Sequence, residues 1–488
     1  MMSKKHRQSF IIAFAILSLL LLGNTWVQAN DQLKPKALPG VISLLLSETN
    51  KHWTHPRSLS DNISPDEQNA TNPQVAMDSN GNSIITWAQE VTSNFPKIFV
   101  SEYRNGAWTH PGNLNDYISP DEDLAFAYYP QVAMNDSGNA IIVWEQGGLP
   151  KYQIFKSEYR NGVWVHPSSF SDNISPDGQS AYDPQVATDN NDNAIIVWRQ
   201  YDDGNVFQIF RSEYRNGAWT HPSGLSDNIS PNGQNAYGRP QVAMDSNGNA
   251  IITWVQYDGS NWQIFKSEYR NGVWVHPGSL SDNISPDGQN AFDPQAAMDD
   301  NGNAIITWQQ NDGSTDQIFK SEYRNGTWTH PGNLDDYINP DGEGAWNPQV
   351  AMDDNSNAII TWEQEVGGPD QIFKSEYRNG SWTHPASVDD YINPDGGDAT
   401  QPQLAMDDNG SAIITWEQND GNFYQIFKSE YRNGVWTHPA SITDSISPDG
   451  EGVYWVNPQV AMDDNGSAII TWYQKDGNFY QIFKSEYR

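Results

Sequence analysis

From Trp274 to Arg324 the chain reads, in order, Trp274-Val275-His276-Pro277, Ser281-Asp282-Asn283-Ile284-Ser285-Pro286-Asp287-Gly288, Pro294-Gln295-Ala296-Ala297-Met298-Asp299, Ala304-Ile305-Ile306-Thr307-Trp308 and Gln317-Ile318-Phe319-Lys320-Ser321-Glu322-Tyr323-Arg324. The apolar segments are short, rich in Ile, Val, Thr, Trp, Tyr and Phe, and bounded by Gly, Asn, Asp and Pro, which is strand rather than helix patterning. Asp299-Asp300-Asn301-Gly302-Asn303 joins two of them tightly. Asn325-Gly326 joins the next two, and Asn-Gly is a strong hairpin signal because both residues tolerate positive φ. The stretch predicts a four-stranded antiparallel meander.

The same order recurs along the chain. Ser-Glu-Tyr-Arg begins at Ser101, Ser157, Ser212, Ser267, Ser321, Ser375, Ser429 and Ser485, at spacings of 54 to 56 residues. Short strands at that period predict an all-β fold, an eight-bladed β-propeller of four-stranded antiparallel blades. A membrane barrel fits worse, since its strands need about 9–11 residues with a lipid-facing apolar band. The last unit stops at Arg488 after its third strand, and Trp53-Thr54-His55-Pro56 has no complete unit before it. Pairing Trp53–Pro56 against Gln481–Arg488 supplies the missing strand and leaves no open edge, so closure by an N-terminal strand is expected. The expected organisation is a signal peptide at 1–29, a leader at 30–52 and the eight-repeat propeller at 53–488. Val41 to Glu48 faintly echoes a third strand and could add an edge.

Composition bounds the function. The chain has 488 residues with 61 Asp+Glu against 27 Lys+Arg, a formal net charge of −34. That balance argues against nucleic acid, whose phosphates call for clustered Lys and Arg, and against docking on an anionic membrane surface. The absence of cysteine excludes disulfides, thiolate metal sites and cysteine nucleophiles. With 12% aromatic residues the chain is built to pack a core. Lys4, Lys5 and Arg7 precede an apolar run from Phe10 to Leu22, and Val27-Gln28-Ala29 offers a cleavage site, the order of a secretory signal peptide. That run is short of the roughly 20 residues needed to span a bilayer, so no membrane span is expected after cleavage. Removing three cations leaves the expected mature chain at −37, from 24 basic against 61 acidic residues. An exported chain without cysteine points to a bacterial secreted or periplasmic protein. A monomer is expected.

Repetition restrains the assignment of sites. Eight of the ten histidines belong to Trp-x-His-Pro, and sixteen of the 20 tryptophans occupy two repeat positions, represented by Trp274 and Trp308. Residues present once per blade are expected to pack blade against blade rather than to catalyse. Alternation places Glu322 and Arg324 on one face as a half-exposed charge pair. The turn from Asp299 to Asn303 offers oxygens around a glycine as calcium loops do, but lacks their closing bidentate Glu. Turn chemistry is favoured, with calcium as the alternative, and no cofactor is assigned.

The meander puts the tight turns on one face of the ring and the longer, more variable connections on the other, where binding residues are expected. Tyr128, Tyr182, Tyr237, Phe292, Trp346 and Trp455 stand just before the innermost strands on that face, with Thr71 and Thr400 in the remaining units. These rings either plug the channel mouth or form stacking platforms for sugars, with Asp183, Asp293 and Asn347 as hydrogen-bonding partners.

The turn from Asp299 to Asn303 and the strand reaching Trp308 resemble the repeats of secreted bacterial β-propellers, including the sialidase-like Asp-box class and propeller lectins. The resemblance covers most of residues 53–488, although the Asp-box order Ser-x-Asp-x-Gly-x-Thr-Trp is absent. Enzymes of that class imply three arginines on a carboxylate, a Tyr/Glu pair and an acidic catalyst. Outside Ser-Glu-Tyr-Arg, residues 53–488 carry only Arg57, Arg199, Arg211 and Arg239, so no triad and no catalytic residue is assigned. The expected function is a secreted multivalent carbohydrate-binding, lectin-like propeller whose partner is a glycan. The alternatives are an adhesion or scaffold propeller that binds a cell-surface protein, and a sialidase-like glycoside hydrolase.

Overall fold

A computed structural model describes residues 51–91, 95–121, 125–148, 151–453 and 457–488. The expected signal peptide, nearly all of the leader, the echo at 41–48 and Trp455 lie outside the described residues. The chain divides into units Met1–Lys51 and His52–Arg488, and the second is the one described below. Among the described residues no helix is long and apolar enough to cross a membrane.

Within that unit the strands form eight four-stranded antiparallel sheets. Blade 5 is representative, with Ala291–Met298 innermost, then Ala304–Asn311, Asp316–Arg324 and the outermost Thr327–Thr329. Each innermost strand lies against that of the next blade, from Ala70–Met77 of blade 1 to Gln459–Met462 of blade 8 and back to blade 1. The fold is thus the eight-bladed propeller that the repeats predict. Its hairpins have the expected chemistry: Asn325 and Gly326 sit at φ 52° and 83°, the paired positive values of a twisted two-residue turn. In the other tight turn, Asp299 Oδ1 accepts from Asn303 N at 2.7 Å and Oδ2 from Asn303 Nδ2 at 2.8 Å. That carboxylate is committed to its own turn.

Blade 8 is completed from the other end of the chain. Trp53 pairs with Tyr487 and Thr54 with Glu486, and His52 N donates to Arg488 O at 3.2 Å. The strand is shorter than the expected Trp53–Pro56. His55 leaves the ladder to bond Ser485 Oγ through Nδ1 at 3.0 Å, and Pro56 has no N–H to contribute.

Apolar burial lies between blades. The second-strand tryptophans, such as Trp308, are fully buried. Trp308 and Phe319 of blade 5 share one cluster with Ile251 and Ile264 of blade 4. Toward the rim a polar clasp repeats the same bridging. Trp328 Nε1 donates to Glu268 Oε1 of the preceding blade at 2.6 Å, and Arg324 stacks on Tyr377 of the following blade at 3.8 Å. The clasp crosses the chain ends unchanged, with Trp53 Nε1 on Glu430 at 2.7 Å and Trp108 Nε1 on Glu486 at 2.9 Å. The Glu322–Arg324 pair, bonded at 2.9 Å, is more buried than its expected half-exposed face, at 15% and 16%. Trp382 and Tyr377 of the next blade cover it.

Burial pushes the Glu430 carboxyl up, but Lys428 and Arg432 outweigh it and hold the group below its ordinary value. A depressed folded value means stability that is present above about 4.5 and lost as pH falls through the folded value. Replacing Glu430 by Ala strands Lys428, Arg432 and the Trp53 indole, so a cost of roughly 3–5 kcal/mol is expected at pH 7. Denaturant titrations at pH 7 and at successively lower pH below about 4.5 should show that cost shrinking as the parent loses the stability its ionised carboxylate supplies.

Candidate functional site

Each of blades 1 to 7 shows a register shift where its innermost strand begins, as between Tyr182 and Gln185. The residue before the proline there takes positive φ: Tyr129 50°, Asp183 54°, Asp293 52°, Asn347 52° and Gln401 57°. Asp and Asn tolerate that region, whereas Tyr and Gln rarely adopt it. Blade 4 carries an extra residue, with Gly238 at φ 71° followed by Arg239. A bulge re-aims a side chain off the strand, and these bulges set theirs around the mouth of the central channel. The cavity there has a volume of about 600 Å³. Its wall carries the glutamine of Pro-Gln from every blade, Gln74, Gln131, Gln185, Gln241, Gln295, Gln349, Gln403 and Gln459, with Gln401 beside them.

The position behind the bulges breaks the repeat. Every second strand contains Trp-x-Gln with Trp and Gln fixed, while x is Ala88, Glu145, Arg199, Val255, Gln309, Glu363, Glu417 and Tyr473. At Glu145, Gln309 and Glu363 it takes the bulge N–H of the next blade. Asp183 N reaches Glu145 Oε2 at 2.9 Å, Asn347 N reaches Gln309 Oε1 at 3.0 Å, and Gln401 N reaches Glu363 Oε2 at 2.6 Å. In blade 3 the same position is Arg199, whose Nε donates to Asp183 Oδ2 at 2.5 Å. Arg239 of blade 4 approaches the other oxygen, with Nε 3.5 Å from Asp183 Oδ1. Rings enclose the pair: Arg199 lies 4.7 Å from the Phe207 centroid, and Arg239 lies 5.0 Å from that of Tyr129. Arg239 remains 47% exposed toward the mouth.

Two acids here are held near neutrality. Burial pushes the Glu145 carboxyl up to about 7, against the Asp183 N–H, with the Asp183 carboxylate adding to the rise and Arg199 and Arg239 opposing it. Burial likewise pushes Glu363 up to about 7, against the N–H of Gln401. Burial and the nearby Asp316 also raise Asp293, against Arg239. Among the described residues no three His, Asp or Glu side chains are grouped to hold a metal ion.

The sequence-predicted residues divide into two sets. Tyr237, Asp183, Asp293 and Asn347 line the cavity. Tyr182 is half-buried between Tyr152 at 5.7 Å and Phe207 at 6.1 Å, and Tyr128 lies 6.1 Å from Phe126. Phe292 packs with Trp262 against the interface of blades 4 and 5, and Trp346 Nε1 donates to Asp316 Oδ2 at 3.2 Å. Glu145 escaped the sequence reading, and Arg199 and Arg239 stand there only as arginines outside Ser-Glu-Tyr-Arg, without a site role. The single varying position between the fixed Trp and Gln could have found the first two, and the one-residue insertion in blade 4 the third.

Glu363 tests the electrostatics of the mouth. Its raised folded value means that stability declines as pH rises from about 4.5, where the unfolded carboxyl ionises, to about 7. Gln309 already makes the same bulge bond, so Glu363→Gln keeps the geometry without the buried charge. The variant should match the parent's melting temperature near pH 4.5 and exceed it at pH 8. Scanning calorimetry across that range checks the divergence.

No family model matches this chain, and no curated protein matches it. Solved structures of similar architecture include an ulvan lyase, described as a new family of polysaccharide lyase and bound to -[GlcA(1-4)Rha3S]-, at 10% identity over 87% of this chain and 94% of that one, with TM-score 0.46. A protein of unknown function from Dyadobacter fermentans is 11% identical over 89% of this chain and 99% of its own, with TM-score 0.41. A puromycin-hydrolyzing peptidase from Mycobacterium tuberculosis is 10% identical over 88% of this chain and 62% of its own, with TM-score 0.44.

Proposed function

We propose that the protein is an exported carbohydrate-binding propeller that takes a glycan at the long-loop mouth of its channel. The observation that carries this is the contrast between a framework copied in every blade and one asymmetric polar cavity, whose charged residues Asp183, Arg199, Arg239 and Asp293 come from blades 3 to 5 and stand beside Tyr237. A sugar hydroxyl needs both a donor and an acceptor. Glutamine amides supply both, carboxylates accept, and guanidinium groups donate from a fixed fork. Arg199 and Arg239 meet Asp183 through Nε, which leaves their terminal nitrogens for a ligand. The ring faces of Tyr129 and Tyr237, 38% and 54% exposed, offer apolar surface beside them.

The repeats suggest many equivalent sites, but the glutamines of all eight blades face one shared space. One site with unlike sub-sites therefore replaces the expected array. Catalysis is no part of the proposal.

Retention on immobilised neutral and uronic-acid polysaccharides is the test. Arg239→Ala and Tyr237→Ala remove exposed side chains, so their melting temperatures should stay near the parent's, as surface changes usually cost under about 0.5 kcal/mol. Each should weaken retention by roughly tenfold, the loss of one well-placed polar or aromatic contact. Failure of the parent to bind any such polymer, or binding indifferent to both substitutions, would remove the glycan from this mouth.

A further inference from the structure

The tight-turn mouth is built from different chemistry. The sequence holds nine methionines, and all but Met1 and Met2 occupy one repeat position, the last residue of the innermost strand. They run from Met77 in blade 1 to Met462 in blade 8, and Thr188 alone interrupts them in blade 3. Each is half-buried. One side packs on an inter-blade cluster, as Met244 does beside Trp254. The other side, with the alanine before it, lines a second cavity of about 430 Å³. That volume falls in the range of ordinary ligand pockets, roughly 300–1,000 Å³.

Packing alone does not call for this choice. At two buried second-strand positions, represented by Ile305 and Ile306, the chain uses Ile in every blade, whereas the half-exposed collar takes the flexible, polarizable side chain that adapts to apolar guests. Around the collar stands the second residue of each Asp turn. In blades 5 to 8 it is Asp300, Asp354, Asp408 and Asp464, with Asp136 in blade 2. These acids crowd one another. Burial, with the Asp464 and Asp354 carboxylates, drives the Asp408 carboxyl well above the usual range. A cation would relieve that crowding.

We propose that the tight-turn mouth docks a segment of a partner protein that carries a few large apolar side chains flanked by Lys or Arg. The apolar side chains seat among the methionines, and the ammonium or guanidinium groups meet the arc from Asp300 to Asp464. The same arc repels acidic partners, including a second copy of this −34 chain.

The probe is a fourteen-residue acetylated and amidated amphipathic Leu/Lys peptide, with the corresponding Leu/Glu peptide for comparison. Binding to the full-length protein is followed by fluorescence anisotropy and by NMR of ¹³C-methyl methionine, which reports almost only on the collar. The Leu/Lys peptide is expected to bind at least about tenfold more tightly than Leu/Glu and to shift the collar methyl resonances. Met352→Gln with Met406→Gln should weaken it about tenfold, because a polar amide replaces two apolar contacts. Asp408→Asn with Asp464→Asn should weaken it several-fold at low salt. Should the double methionine variant melt early, the methyl shifts of the parent protein decide the matter. No binding, equal binding of both peptides, or binding that leaves the collar resonances in place would overturn the proposal. Glycan retention at the opposite mouth is expected to be unchanged in all four substitutions, so the two sites fail independently.

Discussion

The hydrogen bond from each outermost-strand tryptophan to a glutamate of the preceding blade is the contact on which this ring depends. A short outermost strand of two or three residues has little ladder of its own, and its indole N–H must find an acceptor once half-buried. The glutamate supplies one, and for Glu158, Glu268, Glu322, Glu376, Glu430 and Glu486 the Lys and Arg on its own strand hold the carboxyl below its ordinary value against the pull of burial. That Arg in turn stacks on a tyrosine of the following blade, 3.8 Å away in the case of Arg104 and Tyr159. Each Ser-Glu-Tyr-Arg thus contacts both neighbours. Because Trp53 and Glu430, then Trp108 and Glu486, make the same bond, the two ends of the chain close the cycle with the contact used everywhere else.

A closed cycle of near-identical blades fixes where difference can be tolerated. The inter-blade interiors repeat the same Ile, Trp and Phe because packed interfaces resist changes of volume. The channel mouths are half-open, and there the repeat relaxes. On the long-loop side the bulge residues and the x of Trp-x-Gln vary from blade to blade and bring Glu145, Asp183, Arg199 and Arg239 together across three blades. On the tight-turn side the methionine collar is nearly symmetric, and its acids gather in an arc over blades 5 to 8. The asymmetric mouth suits one small polar ligand held in one orientation. The near-symmetric one suits a soft apolar guest.

Most of the architecture was legible because its signals are local. Asn325-Gly326 specifies its hairpin by backbone sterics, and the period of Ser-Glu-Tyr-Arg counts the blades. The clasp was half legible: alternation put Glu322 and Arg324 on one face, but only the structure shows Trp382 and Tyr377 arriving from the next blade to bury them. The mouth was least legible. A positive φ at Asp183, before a proline, follows from the closure of the bulge and has no sequence signature of its own. Arg199 and Arg239 lie 40 residues apart in different blades and meet only because both aim at Asp183. Aromatic residues were visible from the sequence on the same strands, yet Tyr182 and Trp346 spend much of their surface on neighbouring side chains.

Stoichiometry bears most directly on the claim that a repeated frame holds one unrepeated site. An oligosaccharide cut from whichever polysaccharide retains the protein can be titrated against it by calorimetry. One oligosaccharide bound per chain is the expected result, since the unlike residues Asp183, Arg199, Arg239 and Asp293 line a single cavity. Several equivalent sites per chain, approaching one per blade, would contradict it and return the function to the repeats themselves.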